Sequence, residues 1–455
     1  MIIERKSKIV GKIADNKSEP DFLKMLFETG VDLAWLNTAH QGEEEAIEVI
    51  NKIRSVRPDM PILIDTKGPE VRTKHVEHGI EVKAGDYIIF TGDTTFTGEN
   101  VVHVSYENFH KEIPVGEEIL YNDAVVGLIV EEILENGIKC VVKNAGVIKN
   151  KKSLNVPGVH IQLPALSKKD IGFVHFCAKN GIDFITHSFV RNVDDLNEIK
   201  NILKEYPDYN GKIIAKIENR EGFDNLESIL DNCEGMMVAR GDLGAEVPLE
   251  ELPYMQKKMV EAANRKGKYS IVATQVLHSM VHNPRPTRAE VTDCSNAILD
   301  GSGAVSMSDE TAFGDYPGEA VNTMSRIMSY TEKMKSEMHA TFTEPTVKTP
   351  AFAKAKEIVT LANEKKVKAI VVAGLPIEYV QAMSAYRPNM IIVPTFEKDE
   401  DVRDVMLAYA VRPALTKEVD LSKIVLATDG FLKAGDSIVF VSKEGDSISF
   451  GAKNI

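Results

Sequence analysis

Eight apolar runs, each ending in polar residues, recur along the first three quarters of the chain and constrain its fold more than any other feature. They lie at residues 7–14, 32–40, 61–67, 183–189, 212–219, 235–242, 269–276 and 303–310. Runs this short and this apolar suit parallel strands buried on both faces. Helical patterns separate them. Ala46, Val49, Ile50, Ile53 and Val56 repeat at helix spacing over 43–56. Met255, Met259 and Ala262 form a stripe over 252–267, with Gly267 placed to end it. Thr287 and Glu290 fit a capping box. Eight strand-then-helix units predict a closed (β/α)8 barrel.

The third unit is interrupted. Between residues 68 and 164 the pattern changes to short β-like runs (IEVKAGDYIIF, EEILYNDAVVGLIVEEI, GIKCVVKNAGVI). This predicts a small all-β domain inserted at the C-terminal end of the third strand, where barrel active sites lie and where it can act as a lid. Beyond residue 335 come a helix at 350–365, strands in KAIVVAG and MIIVPTF, and a hairpin in SIVFVSKEGDSISF. The expected fold class is α/β: a TIM (β/α)8 barrel with an inserted all-β lid domain and a C-terminal α/β domain. The expected boundaries are 1–67 with 165–335, 68–164, and 336–455.

Composition sets what the site can serve. The formal charge of −14 argues against a nucleic-acid or anionic-membrane partner, because phosphate backbones select basic surfaces. No run of 18 apolar residues suggests a membrane span, and MIIERKSKIV lacks a signal-peptide core. The cysteines Cys140, Cys177, Cys233 and Cys294 form no CxxC pair, which fits reduced thiols and a cytoplasmic location.

Barrel enzymes carry their reacting groups at strand C-terminal ends. Here those ends hold Asn37, Asp65, Lys216, Glu218, Arg240, Asp242 and Thr274. Lys216 and Glu218 lie two apart on one strand and so share a face. A divalent cation held by Glu218 and Asp242 would offset their burial, and magnesium fits because it takes one or two carboxylates and keeps positions for water and substrate. Lys216 would then neutralise a phosphoryl group in transit. A buried Lys–Glu ion pair with no catalytic task fits the same spacing. Backbone N–H groups of Ala239-Arg240-Gly241-Asp242 can bind an anion where a strand meets a helix, and Thr274 can sit near a substrate carbon.

The blocks KIENREGFDNLESIL, MMVARGDLGAEVPLE, VATQVLHSMVHNPRPTRAEVTDCSNAILDG and DETAFGDYPGEAV resemble the signature blocks of the pyruvate kinase family. IDTKGPEVRT, LNVPGVHIQLPALSKKD and SFVRN agree, in the family's order. The resemblance is strong over residues 7–330, weaker over 347–455, and marks a divergent member. It implies that phosphoenolpyruvate and ADP give pyruvate and ATP in glycolysis. By the resemblance, Lys216, Thr274 and Arg72 are catalytic. Ala239, Arg240, Gly241, Ser188 and Phe189 bind substrate with Thr274. Asn37, His40 and Lys152 bind nucleotide. Glu218 and Asp242 hold Mg2+ or Mn2+, and Asn37, Asp65 and Thr66 hold K+. A homotetramer is implied, with residues 285–299 at a subunit contact.

Departures from the family fall around this set. Trp35 stands where the family has a phosphate-binding arginine. Ala39 stands where it has a potassium-ligating serine, so the K+ site is incomplete. The lid's DDG becomes Asn122-Asp123-Ala124, and Asp309 replaces a glycine, placing an acid where it can repel phosphate. Residues 373–381 replace the family's phosphate loop, and no sugar-phosphate effector is expected there. These departures define an alternative, a catalytically weak paralogue with a binding or regulatory role. A third reading, a barrel enzyme doing carbon–carbon chemistry on pyruvate, accounts least well for the family blocks.

Overall fold

A computed structural model describes residues 5–38, 41–122, 124–159, 161–335, 337–338, 341–416, 423–425, 428, 430–445 and 447–455. The eight apolar runs form eight parallel strands: β1 (Lys8–Lys12), β2 (Leu33–Asn37), β3 (Ile62–Asp65), β4 (Phe184–His187), β5 (Lys212–Ile217), β6 (Gly235–Ala239), β7 (Tyr269–Ala273) and β8 (Ala304–Met307). They close in sequence order, with β1 pairing β8 through Ile9↔Val305.

Alternation along each strand divides two cores. One set of side chains fills the barrel interior: Val10, Leu33 and Trp35, Leu63, Phe184, Ile214, Met237, Ile271 and Ala273, and Ala304. The intervening set, among them Ile9, Leu36, Ile64, Ile185, Ile217 and Val238, packs outward against the helices. Because strand side chains alternate faces, one further step toward the C-terminal ends places Lys12, Asn37, Asp65 and Lys216 on the interior face. The sequence periodicity therefore decides which side chains line the barrel mouth.

Between β3 and β4 the chain builds a second closed barrel of seven strands, drawn from Val71–Lys74 through Ser153–Asn155. It has its own core around Ile88, Phe90, Phe109 and Tyr121. Helix Lys168–Lys179 then begins on a capping box, Ser167 with Asp170. Asp170 also accepts the Lys67 N–H at 2.6 Å, which ties together the two connections to the inserted barrel.

The C-terminal region holds a five-stranded sheet centred on Ala369–Ala373, ending in the antiparallel hairpin Ser437–Glu444 and Ser447–Asn454. It docks on the base of the first barrel. Arg403 pairs with buried Asp183 at 2.8 Å, Lys212 with Asp404 at 2.5 Å, and Lys8 donates to the Val411 carbonyl at 2.5 Å. The capping box of Thr287 and Glu290 is present on helix Arg288–Leu299. Among the described residues no helix is long and apolar enough to cross a membrane.

Candidate active site

The centre of the barrel mouth is an ion cluster built across β3, β4 and β5. The Lys216 ammonium lies 3.0 Å from Glu218 Oε1 and 3.3 Å from Asp65 Oδ2, and it donates to Ser188 Oγ at 3.0 Å. Glu218 is fully buried and Asp65 nearly so. Asp65 also accepts from Thr186 on the neighbouring strand. The loop after β4 wraps back onto the same group, with the Phe189 N–H donating to Glu218 Oε2 at 2.6 Å. Thr66 accepts the Ser188 N–H at 3.0 Å, while Ser188 donates to the Thr66 carbonyl at 2.8 Å.

Charge balance sets the chemistry here. Burial works against the Lys216 charge, yet Asp65, Glu218 and Asp242 outweigh it and hold its pKa above the ordinary lysine value. Burial pushes the Glu218 carboxyl up; Lys216 opposes this and the negative Asp242 adds to it. One ammonium among three carboxylates leaves negative charge in excess, so Glu218 holds a proton more tightly than an ordinary carboxyl, and a bound cation would offset that excess. Glu218 Oε1 is also buried without a hydrogen bond, since Lys216 reaches it as an ion pair but not in bonding alignment. Among the described residues no three acids, histidines or cysteines converge on one metal position. A cation here would take Glu218 and Asp242 from the protein and oxygen ligands from elsewhere, which magnesium accepts.

Thr274 and Gln275 follow β7 with positive φ, 74° and 55°. Arg240 fixes this turn by donating to the Ala273 carbonyl at 3.1 Å and the Thr274 carbonyl at 2.7 Å, while pairing with Asp293 at 2.6 Å. Its guanidinium is thus committed to β7 and the helix behind it. The anion-binding role expected of this turn falls to backbone groups, since the Arg240 side chain is engaged here. A Cβ on Gly241 would meet the Thr274 methyl at 2.9 Å, so glycine permits the close approach of the two turns.

Arg72 sits on the inserted barrel, where Glu70 holds it by paired bonds of 2.9 Å and the Lys151 carbonyl accepts from it at 2.9 Å. Lys152 donates its backbone N–H to Thr73. Asn37 ends β2 opposite Asp65. His40, Ala39 and Asp123 lie outside the described residues.

Lys12, which no motif marks in the sequence, ends β1 on the interior face, 3.6 Å from Asp309 and 5.8 Å above the Trp35 ring. Asp309 opens the short helix Asp309–Ala312 and pairs with Lys12. The signal was available: Lys12 ends the strand of the first apolar run on its inward face, and an inward-facing strand-end lysine needs a partner. Trp35 is 7% exposed and belongs to the interior core.

Comparison with known proteins decides the family. Residues 4–321 match the family described as pyruvate kinase, barrel domain. The chain belongs to the pyruvate kinase family. It is 38% identical to a pyruvate kinase of Borreliella burgdorferi over 97% of this chain and 94% of that one. It is 38% identical to a pyruvate kinase of Bacillus licheniformis over 96% of this chain and 78% of that one. The crystal structure of a Cryptosporidium parvum pyruvate kinase superposes with a TM-score of 0.89 at 33% identity, covering 98% of this chain and 96% of that one. Pyruvate kinases generally use Mg2+ and K+.

Proposed function

We infer that the chain works as a pyruvate kinase, moving the phosphoryl group of phosphoenolpyruvate to ADP to give pyruvate and ATP. The observation that carries this reading is the Lys216 ammonium held among Asp65, Glu218 and Ser188 at the barrel mouth. With its pKa held high, Lys216 stays charged through the physiological range and faces the phosphoryl group as it leaves one oxygen for another. Glu218 and Asp242 hold Mg2+ or Mn2+. When bound there, the ion supplies Lewis-acid stabilisation to phosphoryl and enolate oxygens.

Backbone N–H groups at Ala239 and Gly241 take the substrate carboxylate, and Ser188 and Phe189 close the same pocket. The Thr274 hydroxyl stands beside the enolate carbon, which takes a proton once the phosphoryl has gone. Arg240 is a positioning residue for Thr274. Arg72 meets phosphate from the inserted barrel, which acts as a lid, and Asn37, His40 and Lys152 serve the nucleotide. Asn37, Asp65 and Thr66 are the K+ ligands of a site lacking the family's serine at Ala39. Lys12 supplies the cation on the β1–β2 side of the mouth, where Trp35 brings none. The four cysteines are free and buried, consistent with a reducing cytoplasm. A homotetramer with helix Arg288–Leu299 at a contact completes the reading.

The test supplies purified protein with phosphoenolpyruvate and ADP, with and without Mg2+ and K+, and follows pyruvate and ATP. Magnesium-dependent formation of both is expected, with a weaker response to K+. Absence of turnover at high protein concentration would favour the paralogue with a binding or regulatory role.

A further inference from the structure

At the end of the barrel opposite the mouth, a cavity of about 510 Å³ opens between the barrel base and the C-terminal region. That is the size of small-molecule sites. Tyr269, Phe352 and Tyr379 give it aromatic walls, and Arg387 and Tyr409 line it with polar groups. These two are 8% and 2% exposed.

Among the described residues both are left unsatisfied: Arg387 makes a single side-chain hydrogen bond, from Nη2 to Asn264 Oδ1 at 2.6 Å, and its Nε has no partner. The Tyr409 hydroxyl has none, and its ring lies 4.8 Å from the guanidinium carbon. Among the described residues no carboxylate lies within ion-pair distance of Arg387. Glu332 acts on it through charge, but that carboxylate is taken by the N–H groups of Lys6 and Ser7 at 2.8 and 2.7 Å. Of the acids on the lining, Glu234 accepts the Ile213 N–H at 2.8 Å and Glu378 is exposed. Burial lowers the Arg387 pKa to about 10, the mark of a cation without a counter-charge.

A guanidinium offers donors only, so its missing partner is an acceptor. We propose that this cavity binds a small organic anion, a carboxylate or phosphate monoester carrying a flat apolar body. The anionic group meets Arg387 and Tyr409, and the body lies among the aromatic walls. β7 begins on this cavity at Tyr269 and ends beside Thr274, so one strand joins the new site to the barrel mouth.

The test is calorimetric titration of the full chain with benzoate, phenyl phosphate and the neutral control phenol at constant ionic strength. Saturable binding of either anion at a single site per chain, undiminished by saturating phosphoenolpyruvate, is expected; the tighter of the two identifies the anionic group. Arg387→Gln should weaken it about tenfold, as for a lost charged hydrogen bond. Should that variant fail to fold, Tyr409→Phe decides. It removes an unpartnered buried hydroxyl, so it should fold at least as well as the parent and still bind the anion at least about threefold more weakly. No saturable binding up to about 10 mM would overturn the proposal. So would phenol binding equally well, displacement by phosphoenolpyruvate, or unchanged affinity in the folded variants.

Discussion

The two sides of the barrel mouth are built differently. On the β3–β5 side, charges are placed strand by strand in one buried network: Lys216, Asp65 and Glu218, with Thr186 and Ser188 holding the acids and the ammonium. On the β1–β2–β8 side, an interior tryptophan occupies a position where the family has a cation, and Lys12 and Asp309 face each other above it. The first network is fixed by register, since neighbouring strands present partners at the same level. The second is more exposed, with Asp309 45% accessible, so its ion pair contributes little to stability. Under the proposed function, the pair keeps a positive group at the mouth on the side where Trp35 brings none.

Breaking the first side should cost most. Glu218→Gln removes a metal-binding charge, and we expect turnover to fall roughly a thousandfold with loss of the Mg2+ response. Steady-state rates across a Mg2+ titration check this, and a preserved response would assign the metal elsewhere. Lys12→Met should lower kcat/KM by roughly tenfold, while Lys12→Arg keeps most of it. Equal activity of both variants would mean that the second side plays no part in phosphate recognition.

The inserted barrel sharpens the comparison further. Asn155 of the inserted barrel donates to Glu246 at 2.9 Å, and burial pushes the Glu246 carboxyl up to about 7, with Asp242 adding to the rise. A carboxyl with a raised folded-state pKa favours the folded state below its unfolded pKa and loses that advantage as pH rises through the folded one. Between pH about 4.5 and about 7 this group should remove at most about 3 kcal/mol of stability. Glu246→Gln should flatten that slope in denaturant melts, and an unchanged slope would assign the proton to another group. The smallest effect is expected at Ala124, whose φ of 63° lies in the left-handed region. Ala124→Gly should stabilise the protein by about 1 kcal/mol, read as a shift in the urea midpoint. A loss of stability would show that the turn tolerates its side chain.

The barrel was legible in the sequence because its strands are short apolar runs with polar ends, a pattern that local periodicity carries. Lys216, Glu218, Asp242 and Thr274 were legible because they sit at those ends. Closure of the inserted segment into a seven-stranded barrel was not, since it depends on pairings such as Ser153↔Arg72 between distant residues. Arg240 reads in sequence as part of an anion-binding turn, but its long side chain reaches back to β7, which strand spacing does not reveal. Lys12 escaped because its meaning depends on β8, nearly 300 residues away, bringing Asp309 beside it.

The central claim is that Lys216 acts on the phosphoryl group and is more than the partner of a buried acid. Lys216→Met tests it most directly, with phosphoryl transfer and phosphoenolpyruvate binding measured on the same preparation. The account predicts loss of transfer by at least about a thousandfold with substrate binding and fold retained. Transfer within a few fold of the parent would contradict it.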